Sequence, residues 1–213
     1  MIRYLNEKLG IEESANALTH GIGLVLSIAG FIALCILAFQ RYTPERAISS
    51  LVYGTSLVAL YAASTFYHSA VDSALKAKLR VADYCCIYLL IAGSYTPFTL
   101  SALKWPLGPL LLTVVWAVAI LGILSRIFFG DRFHRLRVVS YVGLGWAGIV
   151  AIGPLYDALG WVPLALVIGG GVSYTVGILF FAWENLHHHH AVFHIFVLLG
   201  SILHFAAIAG FLF

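Results

Sequence analysis

Seven apolar stretches follow one another along the chain with only short polar interruptions, at about 16–39, 47–68, 82–103, 106–128, 138–157, 161–183 and 190–212. Each comes close to the roughly 20 residues a helix needs to cross the hydrocarbon core of a bilayer. They are continuous rather than alternating in polarity, which points to helices and not barrel strands: in lipid, a helix satisfies its backbone hydrogen bonds within one segment. Of 213 residues, 62% are hydrophobic and 10% charged, with a mean hydropathy of +0.97, leaving no room for a separate soluble domain. The expectation is an all-α membrane protein, one seven-helix bundle over residues 1–213.

The basic residues give an orientation. Arg3, Lys8, Lys76, Lys78, Arg80, Arg126, Arg132, Arg135 and Arg137 fall on one side of such a bundle, against Arg41, Arg46 and Lys104 on the other. A bias of nine to three puts the amino end in the cytoplasm and the carboxyl end outside. The net charge of +3 is therefore read as topology, and no nucleic-acid partner is expected. Met1 to Glu13 is mixed in charge and lacks the pattern of a cleavable signal, so the first apolar run is expected to stay in a bacterial plasma membrane. Cys35, Cys85 and Cys86 lie in apolar runs and read as small hydrophobes, although thiolates near Asp83 are also good zinc ligands.

Ionisable groups inside a bilayer are costly and face the bundle interior or a cavity. His68 ends the second run, Asp83 opens the third, and His190 and His194 open the last, so all four share one depth near the cytoplasmic face. His190 and His194 are four residues apart, which puts both imidazoles on one helix face about 6 Å apart along the axis. With His68 as third ligand, a zinc ion would keep a fourth tetrahedral position open for water, as catalytic zinc sites do. Asp83 is then better placed to hold that water than to complete the cage. Histidines at an interface also bond to loops or headgroups, so the HxxxH spacing by itself leaves both readings open.

The remaining polar positions carry paired readings. Ser64, one turn before His68, either orients water or supports an oxyanion, or it bonds its own i−4 carbonyl. Glu13, Asn16 and His20 form a stripe on one face of the first helix, either bracing a ligand or substrate, or capping and lining the interface. His187, His188 and His189 read as a solvated loop, and His134 as solvated among arginines. His204 lies about 15 Å beyond His194 along the helix, too deep to share an ion, and is expected to bond another helix. Pro97 should kink the third helix, and the glycines at 169–171 either permit close helix packing or mark a weak point.

Four motifs on separate helices together resemble a known family. They are Glu13-x-x-Asn16-x-x-Thr19-His20-x-x-Gly23; Ser64-Thr65-Phe66-Tyr67-His68-Ser69; Asp83-Tyr84 with Ile91-Ala92-Gly93-Ser94-Tyr95-Thr96-Pro97; and His190-Ala191-Val192-Phe193-His194 with Gly200-Ser201-Ile202-Leu203-His204-Phe205. This ordered set, covering nearly the whole chain, resembles the bacterial hemolysin III proteins, of the progestin and adiponectin receptor (PAQR) superfamily. The resemblance implies a seven-helix bundle with its amino end inside and a zinc ion near the cytoplasmic face. His68, His190 and His194 match the family's zinc ligands, Asp83 its water-holding carboxylate, and Ser64 the serine of its Ser-x-x-x-His motif. The eukaryotic relatives carry a soluble amino-terminal extension ahead of the first motif; here Glu13 stands close to Met1, so no hormone-receptor role is expected.

Three functions follow as expectations. The first is a zinc-dependent hydrolase of a lipid amide or ester, ceramidase-like by resemblance, with Asp83 moving the proton and Ser64 beside it. The second is a non-catalytic bundle pinned by zinc that senses lipid or membrane state. The third, suggested by the family name, is a lytic pore, which nothing in these residues requires. In the first two a membrane lipid is the partner, as substrate or ligand.

Overall fold

The structure is a computed structural model; its backbone is described from Ile2 onward and its side chains from Gly10 onward. All regular elements among the described residues are helical. They are α1 (Ile2–Gln40), α2 (Pro44–Ser69), α3 (Ser73–Ser101), α4 (Leu107–Phe129), α5 (His134–Trp146), α6 (Ile152–Leu159), α7 (Trp161–Ala182) and α8 (His189–Phe211), with a 3-10 turn at Ala147–Ala151 between α5 and α6.

Local chemistry explains the boundaries. Thr43 caps α2 by accepting from Arg46 N at 3.2 Å, with Pro44 in the first turn, where its missing N–H costs nothing. Asp72 caps α3 by accepting from Leu75 N at 2.7 Å. Gly130 and Gly160 take positive φ values of 57° and 80° where α4 and α6 end, a conformation that carries no Cβ penalty in glycine.

The fifth apolar stretch is segmented rather than one helix. Pro154 has no N–H for the carbonyl one turn earlier, and the Tyr95 hydroxyl of α3 enters the ladder just ahead of it. That hydroxyl reaches Leu144 O and Gly145 O at 2.9 Å each and accepts from Gly148 N at 2.8 Å. A side chain inserted in this way replaces α-helical bonding locally. By contrast, α3 continues as one helix through Pro97.

The helices form a closed ring. α1 packs on α2, α2 on α3, α3 on α4, α4 on α5, α5 and α6 on α7, α7 on α8, and α8 back on α1. Outward faces carry large apolar side chains, such as Val25, Ile32 and Phe39 on α1 and Leu121 and Phe128 on α4, as lipid contact requires. Six stretches are long and apolar enough to cross a membrane: Gly10–Gln40, Pro44–Ser69, Leu107–Phe129, His134–Leu159, Trp161–Ala182 and His189–Phe211. This is an all-α, multi-pass membrane protein.

α3 is not among those six. Its composition is diluted by tyrosine, serine and threonine side chains, which turn inward. Tyr88 OH meets Ser140 Oγ at 2.6 Å, Thr96 Oγ1 accepts from Trp116 Nε1 at 3.1 Å, and Thr99 Oγ1 donates to Tyr95 O at 3.0 Å. Polarity spent on interior bonds lowers the hydropathy of a helix without putting polar groups into lipid.

Candidate metal centre

At the end of the ring where α2 stops and α8 starts, three imidazoles converge. One ligating nitrogen from each of His68, His190 and His194 lies within 4.8 Å of the others. The ring centroids stand 4.5 Å apart for His190 and His194, 5.0 Å for His68 and His190, and 5.1 Å for His68 and His194. The i, i+4 spacing puts two donors on one face of α8, and α2 brings the third by ending at the same depth.

Hydrogen bonds fix which nitrogen two of these rings offer. Glu13 Oε2 lies 3.0 Å from His68 Nδ1 and also accepts from Lys76 Nζ at 2.7 Å. A carboxylate can only accept, so His68 Nδ1 carries a proton, and as a neutral ligand the ring would offer Nε2, which is buried without a protein partner. His194 Nδ1 lies 3.2 Å from Asn16 O, again an acceptor, so its lone pair is also on Nε2. Thr19 Oγ1 stands 3.1 Å from the same Nδ1 while donating to Asn16 O at 2.9 Å. Metal-binding histidines are held by this kind of outer bonding.

The donor set fits a divalent ion. As neutral imidazoles these rings would leave buried acceptors without donors, which is costly, and a shared cation relieves them together. Three nitrogens suit several transition metals, zinc included. The cysteines are not part of this group.

The other expected site residues surround it. Asp83 is buried and shares the wall of one cavity with Ser64, His20, His190 and His194; it does not belong to the three-nitrogen group. That cavity has a volume of about 240 Å³ and runs on past mostly apolar side chains such as Ile91, Leu164 and Val197 to His204. Ser64 Oγ is buried and does not make the i−4 carbonyl bond; it lies close to the Asp83 carboxyl. Asn16 and His20 are buried, so the stripe on α1 faces the bundle and not the membrane interface. The His20 ring stacks on that of His194, with centroids 3.4 Å apart and 16° between planes.

A profile of the family described as "Haemolysin-III related" matches residues 10–205. The chain belongs to the haemolysin III family. Its relatives include "Hemolysin-3" of Bacillus cereus, 45% identical over 194 residues, covering 91% of this chain and 89% of that protein. "Hemolysin-3 homolog" of Bacillus subtilis is 43% identical over 190 residues, 89% of each chain. The human "Monocyte to macrophage differentiation factor" is 27% identical over 210 residues, 95% of this chain and 85% of that one. The placement among haemolysin III proteins, and with them in the PAQR superfamily, therefore stands.

Other expectations for this haemolysin III chain are corrected. His204 bonds its own helix, with Nδ1 3.0 Å from Gly200 O, and stacks on Tyr174 of α7 instead of bonding another helix. A carbonyl one turn back is simply nearer than any partner across the interface. The loop before α8 is not wholly solvated: His188, at φ 56°, and His189 are partly buried, the latter with Nδ1 3.3 Å from Phe180 O. Thr19 and Lys76 are partners that no spacing rule flagged; Thr19 stood within a quoted motif, and Lys76 was counted only for topology.

Proposed function

We propose that this protein is a zinc-dependent hydrolase of a lipid amide or ester, crossing the plasma membrane seven times with its amino end and its metal site on the cytoplasmic side. The observation that carries this reading is one continuous space: His190 and His194, two of the three converging imidazoles, share a wall with the buried Asp83 carboxyl and the Ser64 hydroxyl, and that space continues as a mostly apolar cavity. A metal site meant only to brace helices has no need of such a cavity.

His68, His190 and His194 would hold the ion. Bound zinc supplies Lewis acidity toward a carbonyl and toward water. The residues of the chain do the rest. The cavity takes the hydrocarbon chain and excludes bulk water, leaving the polar linkage at the histidine end. Asp83 accepts a proton from the attacking water as its oxygen bonds to the carbonyl carbon, then returns that proton to the departing nitrogen or oxygen as the old bond breaks. The products are a carboxylic acid and an amine or alcohol. Ser64 Oγ, beside Asp83 and without a carbonyl partner in its own helix, would donate to the oxygen that gains charge.

The test is purified protein of defined zinc content, incubated with ceramide-like and acyl-ester lipids. Asp83→Asn is expected to keep its zinc and lose at least about a hundredfold in turnover. Equal turnover in that variant removes the mechanism; zinc-loaded wild type that cleaves no such lipid removes the reading.

A further inference from the structure

At the same end of the ring, away from the histidines, three guanidinium groups gather around one tyrosine. Arg80 lies one turn before Tyr84 on α3, Arg126 closes α4, and Arg137 sits in the first turns of α5. Their central carbons stand 5.6, 4.8 and 5.4 Å from the Tyr84 ring centroid. Arg126 and Arg137 are only 3% and 5% exposed. Arginine stays protonated in proteins, so these are buried charges, which need compensation.

The compensation is incomplete. One carboxylate faces all three groups: Asp131, in the turn between α4 and α5, lies 2.7 Å from Arg126, 3.5 Å from Arg137 and 3.4 Å from Arg80. Arg137 also donates to Gly130 O, while Arg126 Nε is buried with no partner. Burial pushes the Asp131 carboxyl up, but the guanidinium groups outweigh it and hold the carboxyl below its ordinary range. Three positive charges against one negative leave an excess that an anion would match.

One of the three arginines, Arg137, also reaches apolar space. Arg137, Tyr84 and His134 line the same mainly apolar cavity that reaches the histidines. A small soluble anion has no use for such a space, whereas an anionic group attached to a chain fills both parts. Guanidinium pairs bind phosphate through paired hydrogen bonds. We propose that Arg80, Arg126 and Arg137 bind a phosphate group carried by a membrane lipid, with the lipid chain lying in the cavity. Both readings use one cavity, so this lipid and the hydrolysed one occupy it in turn; binding is read without turnover, and the inference stands whether or not the histidine site is catalytic.

Full-length protein in detergent, titrated with dioleoyl phosphatidate, dioleoylglycerol and inorganic phosphate, tests it. Phosphatidate should bind at least about tenfold more tightly than the phosphate-free lipid with the same chains. Inorganic phosphate should bind far more weakly than phosphatidate. Arg80→Gln, at a partly exposed position, should fold normally and weaken phosphatidate several-fold; Arg137→Gln should weaken it about tenfold or more. Asp131→Asn, which removes the competing carboxylate, should tighten it, a result that a purely structural role for the cluster does not produce. Lys104→Gln, at the opposite end of α3, should leave it unchanged. Equal binding of the two lipids overturns the proposal, as do Arg80→Gln and Asp131→Asn proteins that both fold and bind like wild type. Inorganic phosphate binding as tightly as phosphatidate overturns the lipid part and leaves a soluble-anion site.

Discussion

Glu13 accepts from His68 Nδ1 at 3.0 Å and from Lys76 Nζ at 2.7 Å, so a residue outside the three-nitrogen group sets the tautomer of one of its members. Glu13→Gln keeps the shape but loses the charge and gives the ring a choice of orientation. Zinc affinity, measured by competition with a chelator, is expected to fall about 10–100-fold, the usual cost of losing such a partner. Unchanged affinity would show that Glu13 serves only Lys76. The donor histidines were legible in the sequence because His190 and His194 repeat at one helical turn and because His68 and Asp83 are polar where lipid excludes polarity. The bond between Thr19 and His194 and the one from Lys76 to Glu13 were not, since each joins helices whose pairing no local spacing encodes. The arginines around Tyr84 were counted for topology alone, because a sum of charges by side says nothing about which of them are buried together.

Among the elements, α7 and α8 are held close by absent side chains. A Cβ at Gly170 would meet the His204 ring and come within 3.1 Å of Gly200 O, which already pairs with His204 Nδ1 at 3.0 Å. Gly170→Ala must therefore part the helices or displace the imidazole, and is expected to cost about 1–3 kcal/mol, read as a lower thermal midpoint in detergent. Gly210→Ala is the control, since nothing lies within 4 Å of its added carbon and alanine favours the helix. Equal midpoints for the two variants would mean that this helix pair yields easily. Helix ends were readable because Pro44, Asp72 and Gly160 act through their own backbone. The break inside the fifth stretch was only half readable: Pro154 is visible in sequence, but the Tyr95 hydroxyl that splits the ladder comes from α3, about fifty residues earlier.

For the whole molecule, helix length and charge balance bear on whether α3 crosses the membrane. Its 29 residues, at about 1.5 Å each, exceed the roughly 30 Å of a bilayer core even without the charged first turns. It lies between α2 and α4 in the ring, joined to each by a short turn, and both neighbours are long and apolar enough to span. The charge distribution supplies a separate argument. With α3 crossing, Lys and Arg divide nine to three between the two sides; without it, Lys104 joins the amino side, Arg126, Arg132, Arg135 and Arg137 change sides, and the division is six to six. A biased division orients a protein during insertion, and an even one does not. We therefore expect seven crossings with the two ends on opposite sides. In a bacterial host, a reporter active only in the cytoplasm should work when fused before Met1, and one active only outside should work when fused after Phe213. Both ends reporting from the same side would mean that α3 stays out of the bilayer, and the polar groups that it turns inward would then need water rather than neighbouring helices to explain them.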